Sequence, residues 1–497
     1  MHKGAATGLL AGGYAVRWPK GGIVTESDAI DGGYRRALGL LWARSAYERG
    51  FITDPFGSAE AGRRGLRRVR ALLVRLGDPD RRVPVVHVAG SKGKGSTAAM
   101  IAAALGAAGH RAGLFTSPHL HSFRERIVIA GEAVSPAAFA ALADRVEFAA
   151  RALEAAEPEL GSVTTFEFLA AMGFLAFAEA RCDAAVVEVG LGGEFDATNV
   201  VDPLVSVITR IDLEHTAVLG DTLPAIATAK AGIVKPGRPV VVGANDAAVA
   251  AVFEQAATEA GGPLLLAGRD FTGSGPWTGC TLSGPWGQWD GVPLALPGAH
   301  QVENAATAAA ALWPSNEGGI PVAEADVRAG LAGVRWPGRF ERVDADGARV
   351  VLDGAHTPAS AAAVAAALAD AFPGEQAVVV LGISADKDAL AIVAALAPVT
   401  RTVIATAAAA PRAAAASVVA EAAAAAGLPV EAAPGVAEAV QRALAVAGGG
   451  ARRGAGFPHG SPPGGLVLAT GSLYLVGEAR EALGLAQPDP PWGPISG

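Results

Sequence analysis

Val85-Val86-His87-Val88-Ala89-Gly90-Ser91-Lys92-Gly93-Lys94-Gly95-Ser96-Thr97 is the stretch that decides the fold. An apolar, β-rich run ends in glycines, and Ala98 to Leu105 then reads as a helix. Strand, glycine turn, lysine, hydroxyl and helix follow one another in the order of a phosphate-binding loop. Backbone N–H groups and the helix N-terminus face an anion, the lysine adds a mobile cation, and the hydroxyl can hold Mg2+. The strict pattern puts Ser or Thr directly after the lysine, whereas here Gly95 separates Lys94 from Ser96. The loop is therefore a variant that announces a nucleotide without naming a reaction.

Outward from the loop, strands alternate with helices. Arg111 to Thr116, Glu125 to Ile129, Asp183 to Gly190, Val205 to Thr209 and Pro239 to Gly243 read as strands, and Pro136 to Glu157 and the segment after Thr164 read as helices. No hairpin-spaced turns stand out between them. An open, mostly parallel sheet covered on both faces is the expected α/β architecture. Phe271 to Pro297, dense in Gly, Pro and Trp, suits short β-segments, and helical pattern resumes at His300. Trp336-Pro337-Gly338-Arg339-Phe340 reads as a linker. Beyond it Val350 to Asp353, Val378 to Leu381, Thr402 to Ile404 and Leu466 to Ser472 restart the alternation, with Gly448 to Gly465 as a loop. The expected division is an N-terminal extension over residues 1–33, an ATP-binding domain over 34–335 and a smaller Rossmann-like α/β domain over 336–489. Helical pattern begins at Tyr34 and breaks at Phe51 to Gly57; no internal repeat is seen.

The bulk numbers narrow the class. The 497 residues are 51% hydrophobic, but the apolar weight is mostly alanine, and no run of about 18 strongly apolar residues escapes charges or glycines. Neither a membrane span nor a signal peptide is read. Two cysteines, Cys182 and Cys280, make no disulfide framework or metal spacing, which suits a cytoplasmic protein. A net charge of −8 argues against a general polyanion or nucleic-acid binder. The basic cluster Arg63-Arg64-Gly65-Leu66-Arg67-Arg68-Val69-Arg70 reads either as the solvated face of a helix or as a mouth of positive charge for an anionic substrate. Glu167, Glu188 and His215 lie near other strand ends, the edge where ligands bind in such sheets. They read as members of a Mg2+ site, or singly as a helix-start carboxylate and an ordinary loop histidine.

Several further motifs accompany the loop. They are Thr116-Ser117-Pro118-His119-Leu120 with Glu125-Arg126-Ile127, Thr165-Phe166-Glu167, Glu188-Val189-Gly190-Leu191-Gly192-Gly193 with Phe195 to Val200, and Ile211 to Asp221. Lys230 to Gly237, His300-Gln301 with Asn304-Ala305, Pro337 to Glu341, Asp353-Gly354-Ala355-His356, Asp386-Lys387-Asp388 and Gly471 to Gly477 follow. In this order, from Tyr34 to Leu485, the chain resembles the folylpolyglutamate synthase/dihydrofolate synthase family of the Mur ligase superfamily, whose loop carries the Lys-Gly-Ser form.

The resemblance implies ATP-dependent amide formation. A folate or dihydropteroate carboxylate is phosphorylated to an acyl phosphate, which the amine of L-glutamate attacks, releasing ADP and phosphate. It implies that Gly90, Gly93, Lys94, Gly95, Ser96 and Thr97 hold ATP phosphates, that Asn304 meets adenine, Arg339 a phosphate and Asp353 the ribose, and that His356 lies beside the phosphates. His119 and Arg126 fall to the substrate. Two Mg2+ ions are implied, one on Ser117 and Glu167 and the other on His215, with Ser96 and Lys230 as further metal residues, the latter matching a lysine the family carbamylates. Lys94, Lys230, His356 and Arg339 become the catalytic group, and a monomer is the default. The chain departs from the family pattern at Lys92, Glu194, Glu214, Ala229 and Thr357. Alternatives are another Mur-type ligase acting on a non-folate carboxylate, or a small-molecule P-loop kinase. A peptidoglycan-precursor ligase needs a further domain ahead of the loop, for which too few residues precede Val85.

Overall fold

The computed structural model describes residues 26–45, 57–448 and 464–489. Residues 1–25 of the expected extension lie outside the described residues, as do most of the breaks at 51–57 and 448–465. Helix Glu26–Arg44 begins inside the stretch assigned to the extension, so ordered structure starts before Tyr34.

Eight strands form the first sheet: β1 Val85–Ala89, β2 Ala112–Phe115, β3 Ile127–Ile129, β4 Glu132–Ala133, β5 Ala184–Glu188, β6 Val205–Ile208, β7 Val240–Val242 and β8 Leu264–Leu266. Their spatial order is β4-β3-β2-β5-β1-β6-β7-β8. From β2 to β8 the pairing is parallel, while β3 and β4 run antiparallel at one edge. The edge hairpin turns through Ala130 and Gly131, both at positive φ (51° and 84°), the twist a tight two-residue hairpin demands. It corrects the expectation of a sheet without hairpins.

Every residue of β1 is buried. Val85 packs with helices Ala59–Arg75, Pro136–Ala156 and Thr165–Glu179 on one face, and Val86 and Val88 with helices Lys94–Ala107, Ala299–Glu317 and Glu324–Gly333 on the other. Strand alternation thus serves two cores, as expected of a parallel sheet covered on both sides. Alanine and glycine allow close approach: a Cβ on Gly330 would come within 2.4 Å of the Ala104 nitrogen. The Trp-rich segment forms a small antiparallel sheet, β9 Thr272–Ser274, β10 Cys280–Gly284 and β11 Gly287–Val292, against the second core.

The last sheet, in the order β12-β13-β17-β14-β15-β16, comprises β12 Glu341–Ala345, β13 Ala348–Asp353, β14 Ala377–Leu381, β15 Thr400–Ala405, β16 Val430–Ala432 and β17 Leu466–Thr470. Only β12 is antiparallel, joined to β13 by Asp346-Gly347, both at positive φ. The two α/β units are tied together away from the loop. Arg480 Nε donates to His121 Nε2 (3.1 Å) and pairs with Glu341, whose other oxygen accepts from the Gly338 N–H (2.9 Å). Asp489 accepts from the Tyr34 hydroxyl (2.5 Å) and the Phe123 N–H (2.9 Å), strapping the chain end to the first unit. Among the described residues no helix is long and apolar enough to cross a membrane.

Candidate active site

β1 leads into the loop, and helix Lys94–Ala107 starts from Gly93, whose φ of 86° favours glycine. Asn304 packs against Gly93, where a Cβ would sit 2.3 Å from its Oδ1. Its Nδ2 donates to Gln301 Oε1 (2.9 Å), and Gln301 reaches Ser96 Oγ at 3.4 Å. The intervening Gly95 has a steric reason here, since a Cβ would come 2.9 Å from the ring of Trp336 in the linker. Thr97 is fully buried beneath the loop, its hydroxyl without a partner among the described residues. Lys94 Nζ donates to Gly90 O at 2.8 Å, and so does Lys230 Nζ, also at 2.8 Å, from helix Leu223–Ala231.

Lys230 is 2% exposed and forms an ion pair with Glu214 at 2.9 Å. Burial, followed by the charge of Lys94, pushes its pKa down to about 8, with Glu214 opposing. Glu214 is itself held below the carboxylate range by Lys94 and Lys230 despite desolvation. The departure at Glu214 therefore supplies the partner of a buried ammonium. His215, at φ 46°, heads the short helix Thr216–Leu219 beside that pair, and its pKa is lowered by desolvation.

At the C-terminal end of β5, Glu188 Oε2 accepts from the Ser117 N–H at 3.0 Å. Burial raises its pKa, with Lys94 the strongest opposing influence and Arg339 a weaker one. Asp196, also buried, accepts from the N–H groups of Gly190 (3.0 Å) and Leu191 (2.9 Å) and so shapes the glycine loop after Glu188. Glu167 lies elsewhere. Both its oxygens are held by Arg68 (2.8 and 2.5 Å), and Oε2 also accepts from the Thr164 N–H (2.8 Å) as the capping carboxylate of helix Thr165–Glu179. Its helix-start reading is the one the structure supports, and the carboxylate beside Ser117 is Glu188. A capping box in Thr-x-x-Glu was the sequence signal for that.

The second unit brings cations to the same cleft. Arg339 stands against Gly354, its charge felt by Glu188, Asp353, His300 and His356. Asp353 anchors the linker, accepting from the Phe340 N–H (2.8 Å) and the Ala355 N–H (2.9 Å). His356 Nδ1 lies 2.9 Å from Gly354 O, and burial lowers its pKa to about 4. Thr357, another departure, caps helix Pro358–Ala371. Lys387, unmarked as a site residue by sequence, acts on Lys92, His215 and His356, and Lys92 on His356. Lys92, Lys94, Lys387 and Arg339 thus converge from both units. His119 and Arg126 meet each other, Arg126 Nε donating to His119 Nδ1 at 3.0 Å, and desolvation and Arg126 hold His119 neutral. Glu194 points outward, its backbone N–H bonded to Ala229 O (2.9 Å), so its charge stands at the surface.

Among the described residues no group of three His, Cys, Asp or Glu side chains is placed to hold a metal. Mg2+ commonly takes one or two protein carboxylates and completes its shell with substrate phosphates and water. Glu188 with the Ser117 and Ser96 hydroxyls fits that pattern. Lys230 as an ammonium does not ligate; as a carbamate it would.

Two family models match, the Mur ligase middle domain over residues 88–312 and the Mur ligase glutamate ligase domain over residues 338–472. The folylpolyglutamate synthase of Lacticaseibacillus casei is 39% identical over 335 residues, 65% of this chain and 76% of that one. The dihydrofolate synthase/folylpolyglutamate synthase of Mycobacterium tuberculosis is 38% identical over 366 residues, 70% and 75% of the two chains. The Mycobacterium tuberculosis folylpolyglutamate synthase complexed with ADP superposes with a TM-score of 0.80 at 33% identity, covering 93% of this chain and all of that one. Escherichia coli FolC in complex with DHPP and ADP gives 0.74 at 29% identity, covering 91% and 97%. With both Mur ligase domains in order and these relatives matched over most of their length, the chain belongs to the folylpolyglutamate synthase/dihydrofolate synthase family.

Proposed function

We propose that this chain joins L-glutamate to the carboxylate of a folate, or of dihydropteroate, at the expense of ATP. The observation that carries the reading is the meeting of loop cations Lys92 and Lys94 with Arg339 and Lys387 of the second unit, around Glu188 and Lys230. A carboxylate is a poor electrophile. Its oxygen first attacks the γ-phosphorus of ATP, forming an acyl phosphate as ADP leaves; the glutamate amine then adds to the acyl carbon and phosphate departs. Phosphoryl transfer asks the protein for positioning and charge neutralisation. Lys94 serves the phosphate from the loop, and Arg339 and Lys387 add charge when the second unit is docked. His356, kept neutral, adds no charge against the incoming amine and retains a ring nitrogen able to take a proton.

Glu188, Ser117 and Ser96 would hold Mg2+, which supplies further charge neutralisation at the phosphates. His215 and Lys230 are the candidates for a second ion. The lowered pKa of Lys230 supports carbamylation, because the neutral amine is the form that takes up CO2. The decisive experiment is phosphate release with ATP and L-glutamate, run separately with dihydropteroate and with tetrahydrofolate. Stimulation by either pterin is expected; stimulation by neither overturns the folate assignment.

A further inference from the structure

Arg480, in helix Leu473–Ala482, is 8% exposed, and its guanidinium serves both α/β units at once. Nε donates to His121 Nε2 of the first unit at 3.1 Å, and Nη1 pairs with Glu341, the first residue of β12 in the second. His121 is itself held on several sides. Its backbone N–H donates to Glu125 Oε1 (2.9 Å), its carbonyl accepts from the Asp489 N–H (2.9 Å), and its Nδ1 lies 3.2 Å from Glu481 Oε1. With Nε2 accepting from Arg480, the neutral ring carries its proton on Nδ1, facing Glu481. Arg480 is therefore anchored on a fixed point of the first unit.

From Glu341 the contacts run into the linker. Its second oxygen accepts from the Gly338 N–H (2.9 Å), and Gly338 sits at φ 70°. A Cβ there would press on Val476 (3.1 Å) and on Leu120 of the first unit (3.2 Å). The Gly338 carbonyl accepts from the Gly354 N–H (3.0 Å) and from Arg339 Nη1 (3.1 Å). Gly338 is thus pinned at both its N–H and its C=O, and the pinned carbonyl orients the guanidinium whose charge reaches Glu188. Asp353 and Gly354 hold the linker to the second unit. Arg480, through Glu341, ties the same linker to the first.

We propose that Arg480 is a positioning residue for Arg339: acting through Glu341 and Gly338, it sets where the Arg339 guanidinium stands relative to Lys94 and Glu188. The inference rests on the ligase reading above, in which Arg339 meets a phosphate. Arginine suits the task because its planar fork presents Nε and Nη1 in fixed directions, one to an imidazole and one to a carboxylate. A lysine ammonium on its flexible stem fixes neither direction. Arg480 is occupied by His121 and Glu341, so its effect on the reaction passes through Arg339. Misplacing a group at the reacting centre by about 1 Å is enough to slow turnover about a hundredfold.

The test is a double-mutant cycle between Arg480 and Arg339 on the full chain. Arg480→Ala is expected to lower kcat for pterin-stimulated phosphate release at least tenfold, with KM for the pterin within twofold of the wild type. In an Arg339→Ala background the same substitution should change kcat less than twofold, because no guanidinium is left to align. Arg480→Lys can keep the pair with Glu341 and should recover at least threefold over Arg480→Ala. ADP binding by calorimetry shows that each variant is folded. Should Arg480→Ala fail to bind ADP, Arg480→Lys replaces it in the cycle, with a loss of at least twofold expected beside Arg339 and none without it. An equal loss in both backgrounds, or a wild-type kcat in Arg480→Ala, overturns the proposal. The same cycle read by calorimetry with a non-hydrolysable ATP analogue needs no pterin, and the two substitutions should again weaken binding non-additively. It therefore decides the proposal separately from the ligase reading, whose failure would appear as phosphate release that no pterin stimulates.

Discussion

Lys94 and Lys230, 136 positions apart in the chain, donate to the same carbonyl oxygen, that of Gly90, at 2.8 Å each. Two ammonium groups on one acceptor tolerate each other only with acidic company, here Glu214 on Lys230. The loop backbone is thereby charged and braced before any phosphate arrives.

A cost in stability follows. Lys230 titrates near 8 in the fold and near 10.5 when unfolded. Below pH 8 both states hold the proton, and the full penalty of about 3 kcal/mol applies. Between pH 8 and 10.5 only the unfolded state holds it, so stability climbs with pH. Lys230→Met removes this titration and leaves Glu214 without its ion-pair partner, so the wild type should gain stability relative to the variant as pH rises from 8 to 10.5, and the variant should lose ligase activity. A stability difference that does not change over that pH range would contradict the burial argument; retained turnover would remove Lys230 from the catalytic group.

Glu188 and Glu167 should separate cleanly. Glu188→Gln is expected to lower kcat at least a hundredfold, the scale for removing an electrostatic partner of a transition state, with little loss of stability because the carboxylate is buried at a cost. Glu167→Gln leaves Arg68 with half a partner and should cost about 3 kcal/mol in chemical denaturation, with KM for ATP close to that of the wild type. A reversed pattern would restore Glu167 to the metal.

Gly95→Ala would ordinarily stabilise a helix by about 0.5–1 kcal/mol. Here the new methyl meets Trp336, and overpacking of this kind costs about 1–3 kcal/mol. The substitution should destabilise the wild type yet be neutral or stabilising in a Trp336→Val background. Double-mutant thermal melts read this directly, and additive effects would show that the indole does not matter.

His356 titrates near 4 in the fold against 6.5 when free. Between those values the unfolded chain is protonated and the native one is not. The histidine's contribution, up to about 3 kcal/mol, is present above pH 6.5 and lost as pH falls toward 4. Wild type minus His356→Gln should show that slope in urea denaturation across pH 4–7. Parallel curves would mean that His356 is not desolvated.

Much of this was legible locally. The strand-loop-helix order at Val85–Leu105, the buried strands at 184–188 and 205–208 and the second α/β unit follow from composition and periodicity, because fully buried strands and glycine turns leave short-range patterns. The edge hairpins escaped that reading: Asp346-Gly347 is a turn signal that the alternation of strands and helices obscured, and Ala130-Gly131 is a weaker one. Glu167 and Glu188 each end or begin an element on the correct side of the sheet, so sequence placed both near the ligand edge. Only the fold decided between them: Arg68, 99 residues distant, occupies Glu167, while the approach of β2 brings the Ser117 N–H to Glu188. The reason for Gly95 likewise lies in Trp336, and the partner of Lys230 in Glu214. The sequence by itself determined the nucleotide loop, the family and the kinds of side chain available. Which of those side chains meet was decided by tertiary structure, because charges and steric limits act over a few ångströms that the chain spans only once folded.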